Sequence, residues 1–193
     1  MENTYIKEKT FEKFDFNSNP LTKGDYENCL FLNCDFSNSD LSDCDFIDCE
    51  FSSCNLSLSK LNQTAFRGIQ FKNCKMVGLR FNGCNEFGLS FTFVDCILSH
   101  SSFYKIKIKK TTFQNSQLNE ADFTECDLTG ALFDNCDLTK AIFYNTVIEK
   151  ADFRTSFNYS IDPETNHLKK ARFSIYGIPG LLEKYDVIID DNI

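Results

Sequence analysis

Between Ala121 and Phe143 the chain reads ADFTE CDLTG ALFDN CDLTK AIF. Each group of five holds a small residue, a variable one, Phe or Leu, and two polar ones. The small residues are Ala121, Cys126, Ala131, Cys136 and Ala141, and the large ones are Phe123, Leu128, Phe133, Leu138 and Phe143. A period of five matches neither the 3.6 of a helix nor the 2.0 of a strand, so it must arise from a repeat architecture. Taking the large apolar position as the centre of each unit, the register runs from Phe11 to Phe81 without an exception. It fails at Glu86, resumes two residues out of step at Phe93, and continues unbroken to Phe153. A composition that is 42% hydrophobic does not yield two such runs by chance.

The ten cysteines obey the same register, since each lies two residues before a centre position. Ala, Ser and Thr fill most of the equivalent places, so cysteine reads here as a small buried residue interchangeable with alanine. Metal binding calls for cysteines two to four apart with further Cys or His. These are five or more apart, and His100 and His167 fall off the pattern, so no metal site is expected. The N-terminal MENTYIKEKT has no apolar core of a signal peptide, and no apolar run approaches the ~18 residues of a membrane span. The expectation is a cytoplasmic protein with reduced thiols and no membrane contact. A net charge of −8 argues against direct binding of nucleic acid through its phosphates. There is no Gly-rich phosphate loop, HExxH or Ser-His-Asp candidate, so neither an enzyme nor a cofactor is expected.

The A/C-x-F/L-x-x tandem resembles the pentapeptide-repeat family. That resemblance implies an all-β fold, a right-handed quadrilateral β-helix with four pentapeptides per coil. Centre and small positions face inward. The organisation expected is a lead-in over 1–10, the β-helix over 11–153, and a C-terminal capping and dimerisation segment over 154–193. The phase break at 82–92 reads as a bulge that re-registers one side, because only two residues are gained and the segment stays apolar; the alternative is a protruding loop. Twenty-residue coils should bring opposite charges into neighbouring positions. Opposite pairs at that offset include Lys23/Asp43, Asp40/Lys60, Lys105/Glu125, Lys107/Asp127, Glu120/Lys140 and Asp134/Arg154, against the like-charge pairs Asp15/Asp35, Asp25/Asp45 and Lys60/Arg80.

After Phe153 the register fades. Ala171-Arg172-Phe173 restores it once, Leu181–Tyr185 reads as a short helix and Val187-Ile188-Ile189 as a strand. The apolar set Leu181, Leu182, Tyr185, Val187 and Ile189 exceeds what a last coil needs, and marks an expected homodimer interface. The layout IDP…N…A-x-F…GLLEKYDVII is similar to the end of the quinolone-resistance (Qnr-type) and microcin-immunity members of the family. This resemblance implies tail-to-tail dimers forming a rod with the girth and negative charge of duplex DNA. The implied partner is a type II topoisomerase, DNA gyrase or topoisomerase IV, with protection from quinolones or peptide toxins. Charge along the chain is banded: acidic over 25–58, basic over 59–112, acidic again over 113–153. In the last band Asp122, Asp137, Glu149 and Asp152 stand outside those six pairs, and they form the expected topoisomerase-facing surface. Asp25, Asp35, Asp45, Asp48 and Glu50 are their counterparts near the other end. The alternative reading is a structural or interaction scaffold with an unrelated partner.

Overall fold

The computed structural model describes residues 4–190. Short parallel strands recur every coil and pair with their equivalents twenty residues on. Strands β1 (Thr4–Lys7), β3 (Gly24–Glu27), β5 (Asp45–Ile47) and β7 (Ala65–Arg67) build a four-stranded sheet on one side. Strands β2 (Thr10–Glu12), β4 (Leu30–Leu32), β6 (Glu50–Ser52), β8 (Ile69–Lys72), β9 (Phe91–Val94), β10 (Thr112–Gln114) and β11 (Leu132–Asp134) build a seven-stranded sheet on the next. Isolated parallel bridges such as Asp35↔Asn55 and Ser102↔Asp122 continue the ladders on the remaining two sides. The chain is a right-handed quadrilateral β-helix. The coils begin earlier than the sequence suggested, since Thr4–Lys7 already pairs with Gly24–Glu27.

The centre residues fall into four columns. The first side carries Tyr26, Phe46 and Phe66, then Ile108, Leu128 and Ile148. The second carries Phe11 and every Phe in register with it through Phe173. The third runs from Phe16 to Leu138, and the fourth from Leu21 to Phe143. Rings stack within a column and meet edge-on between columns. Phe31 lies 4.7 Å from Phe51 at 10° between planes, and 5.5 Å from Phe36 at 70°. Offset stacks and T-shaped pairs are the arrangements that the ring quadrupole favours. Burial of this column set, at roughly 1.5–3 kcal/mol per large side chain, supplies the stabilisation.

The small inward position does more than leave room. Cys54 Sγ donates to the Phe31 carbonyl at 3.3 Å, Thr64 Oγ1 to Leu41 at 2.8 Å, and Ser156 Oγ to Phe133 at 2.8 Å. Cysteine there is therefore a weak donor as well as a small apolar residue. Burial pushes the Cys84 and Cys49 thiols up to about 12, which leaves little thiolate near neutrality.

The corners explain two further positions of each unit. The residue two beyond most centres adopts a left-handed backbone, as in Asn28, Asn33, Asn38, Lys110 and Lys150. The residue before many centres caps the following turn: Asp35 Oδ1 accepts the Ser37 N–H at 2.8 Å, and Asp122 Oδ1 the Thr124 N–H at 2.9 Å. These are Asx-turns, and they account for the periodic aspartates.

At the phase break, the pairing offset changes from twenty to twenty-two, with Ile69 opposite Phe91 and Phe71 opposite Phe93. The two extra residues enter on the first side, where the four-stranded sheet stops at β7. Phe91 is buried and Leu89 partly so, while Phe87 projects at 80% exposure. The segment thus re-registers the coil and also presents one aromatic ring.

Candidate partner-binding surface

The candidate surface lies on the outside of the rod, where Asp122 lines an open hollow with Arg80, His100 and Tyr104. Coil-to-coil ion pairing follows the twenty-residue stacking but chooses different partners from those expected. Lys105 does reach Glu125 at 3.4 Å, and Lys7 reaches Glu27 at 2.8 Å. Lys23 bonds Asp40 at 3.2 Å in place of Asp43, and Asp127 is taken by Lys109 at 3.0 Å in place of Lys107. Arg154 turns to Asp152 of its own unit at 2.7 Å, and Asp134 accepts from Thr155. Arg67 pairs with Asp45 at 2.9 Å and Lys72 with Glu50 at 2.7 Å, both diagonally. Asp45 and Glu50 therefore are not unpaired acids. The banding of charge has a structural cause, since the cations of the middle band bind carboxylates of both flanking bands.

The four acids expected to face a topoisomerase sit on four different sides. Asp122 precedes a fourth-side centre, Asp137 a third-side centre and Asp152 a second-side centre, while Glu149 follows a first-side centre. Asp137 is half-buried and accepts from Asn119, Thr139 and Asn158 at 2.7–3.1 Å. Asp152 carries both Arg154 and Arg172, so it is not an unpartnered charge. Its carboxyl is held below its ordinary range by the Arg154 hydrogen bonds. Three of the four also act as turn caps. An offset of twenty already places Arg172 beside Asp152 and Lys169 beside Glu149, which the expected set overlooked; the diagonal and within-unit partners, Asn158 of Asp137 and Arg154 of Asp152, lie outside that offset.

At the C-terminal end, Phe173 stacks on Phe153 at 5.4 Å and 8°, adding a last unit to the second side. Helix α1 (Pro179–Leu182) and a 3-10 turn over Glu183–Tyr185 follow. Gly180 lies directly on the Tyr159 backbone, where a Cβ would clash, and Leu181 packs against the core. Lys184 anchors the segment, 2.7 Å from both Asp162 and Glu164. Val187–Ile189 forms no strand, because a strand needs a ladder neighbour and none lies beside it within the described part of this single chain. A cleft of about 480 Å³ opens there, lined by Tyr159, Leu182, Val187 and Ile189 among others. Ile188 is 97% and Tyr176 92% exposed. Neither was in the expected interface set, although both continue it.

Fold and surface together define a β-solenoid with charged sides and an apolar C-terminal end. A family model described as the pentapeptide repeat region matches residues 24–92 and 89–158, and the chain belongs to the pentapeptide-repeat family. No curated protein sequence matched it. Among solved structures, a trypsin-treated variant of QnrB1, a plasmid-mediated fluoroquinolone resistance protein, aligns with a TM-score of 0.65 at 20% identity. That alignment covers 97% of this chain and 98% of that one. Full-length QnrB1 aligns with a TM-score of 0.64 at 20% identity, covering 95% of this chain and all of that one. At this identity the likeness establishes a shared fold over nearly all of both chains. No helix among the described residues is long and apolar enough to cross a membrane.

Proposed function

We infer that this protein acts without catalysis, by binding a type II topoisomerase, DNA gyrase or topoisomerase IV, and shielding it from quinolones or peptide toxins. The observation that carries this reading is the end-to-end correspondence with QnrB1, which extends past the repeats into the C-terminal segment. Dimerisation through that segment and a cytoplasmic location belong to the same reading. The dispersal of the four acids changes how such binding would work. One flat partner surface reaches at most two adjacent sides, so Asp122 on the fourth side and Glu149 on the first are the contacts we assign to it. Asp137 and Asp152 hold turns and ion pairs. The dispersal also favours a second reading, an interaction scaffold with an unrelated partner. The test is binding to purified gyrase and topoisomerase IV, with a supercoiling assay, at low salt where exposed charges act over ~10 Å or more. The combined Asp122→Asn and Glu149→Gln variant should bind several-fold more weakly and keep its β signal. Absence of wild-type binding and of any change in supercoiling at micromolar concentration would leave the scaffold reading.

A further inference from the structure

The first side of the rod is electrically two-ended. Before the phase break, its outward and following-corner positions hold Glu8, Asp25, Glu27, Asp45 and Asp48 against Lys7 and Arg67. After the break, the same positions hold Lys107, Lys109, Lys110, Lys150, Lys169 and Lys170 against Asp127 and Glu149. The linear bands of charge did not reveal this, because the lysines gather on one side only when the coils are stacked. One corner shows it most simply. Reading along the rod it carries Glu8, Asn28, Asp48 and Gly68, then, past the break, Lys110, Gly130, Lys150 and Lys170. The register is fixed by hydrogen bonds such as Asp48 N–H to the Arg67 carbonyl and Lys150 N–H to the Lys169 carbonyl. Between the two ends projects Phe87, with the Arg67 guanidinium 5.8 Å from its ring centre.

A side that is acidic at one end and basic at the other, with the Phe87 ring projecting beside Glu86 between them, is complementary to itself when turned end for end. A twofold axis lying in the contact plane, across the rod, reverses its direction while keeping the same corner opposite itself. With that axis between the coils of Phe87 and Lys109, Lys150 falls opposite the partner copy's Asp48, Lys169 opposite its Glu27, and Lys109 opposite its Phe87. We propose that the first side is an isologous interface by which two copies pair side by side and antiparallel. Such a contact is separate from any joint at the C-terminal end. A single side of the rod is narrow, so the pairing is of the weak, small-area kind in which charge decides stability. It should be sensitive to salt.

A charge exchange along the corner tests this without disturbing the fold. One variant carries Lys150→Glu and Lys170→Glu, the other Asn28→Lys and Asp48→Lys. All four positions hold the left-handed backbone that Glu120, Glu125, Lys110 and Lys140 already adopt. Sedimentation velocity of the full chain at about 200 µM should show heavier species near 50 mM salt that recede near 300 mM, where the Debye length falls to roughly 6 Å. Each variant alone should lose that salt-dependent association, since both ends of its corner then carry the same net sign and one end of the side is neutralised. An equimolar mixture should regain it, because the acidic corner of one variant then faces the basic corner of the other at both ends. Three results would overturn the proposal: wild-type sedimentation that is indifferent to salt, association that persists in either variant alone, or a mixture that fails to recover it.

Discussion

Leu58 holds a φ of +59° at a corner where the unit usually places Asn, Gly, Lys or Glu. A left-handed conformation costs a non-glycine residue on the order of 1 kcal/mol or more, and less for Asn, which tolerates it. The side chain is 60% exposed and lies over Gly78, so little packing offsets that strain. Leu58→Asn should therefore stabilise the protein by about 0.5–1 kcal/mol, read as a higher denaturant midpoint at unchanged slope. A loss of stability would mean that the contact with Gly78 outweighs the backbone. The same corner logic explains why aspartate recurs one place before so many centres. Its carboxylate caps a turn, as Asp40 does for Ser42 at 2.9 Å; the hydrogen bond from Ser42 and the Lys23 ammonium pull that carboxyl down to about 2. A periodic acid in this fold is first a turn residue and only secondarily a surface charge.

At the scale of elements, the tail is clamped by one cation. Lys184 lies between Asp162 and Glu164, and Tyr185 donates to Glu164 at 2.7 Å. The Lys184 hydrogen bond holds both carboxyls below their ordinary values. A carboxyl depressed in the folded state contributes its stabilisation above the unfolded pKa and loses it as pH falls through the folded one. The tail should thus loosen below about pH 4, seen as faster amide exchange over 179–187 while the coils stay protected. Lys184→Met should show the loosened tail already at neutral pH and lose the pH step; a step that persists in that variant would place the control elsewhere. The coils themselves were legible in the sequence because inward positions must be apolar or small at every fifth residue. A single misplaced side chain there would be buried against four columns. In the tail, the Phe173 unit and a short helical segment were legible, although the helix begins two residues earlier than expected. Its helix follows from Pro179 at the first helical position, but the Val187–Ile189 strand depends on a neighbour that no local pattern encodes. The ion pairs were half legible for a related reason: register sets which backbones adjoin, whereas long Lys and Arg side chains reach diagonally, as Arg67 does to Asp45.

For the whole molecule, the ends matter as much as the sides, since a solenoid must close both. The N-terminal coil presents edge strands β1 and β2 with charged neighbours Lys7, Glu8, Lys9, Glu12 and Lys13, which discourages strand addition there. The C-terminal end has the opposite character, exposing Ile175, Tyr176, Val187 and Ile188 around a cleft. Under the proposed function that exposed apolar surface is the joint between two copies, and Val187–Ile189, which has no ladder neighbour among the described residues, offers backbone donors and acceptors that a second copy's segment would meet. Ile188 is the residue to change, because at 97% exposure it contributes almost nothing to a single chain. Ile188→Asp should leave the β signal and the thermal midpoint of the coils intact, yet halve the mass measured by light scattering in salt high enough to screen the first side. The screening separates this joint from the side-by-side pairing, which depends on Lys150 and Asp48 and not on the tail. If the wild-type protein already has the mass of one chain under those conditions, the C-terminal joint is absent, and a topoisomerase partner would meet a rod of half the length.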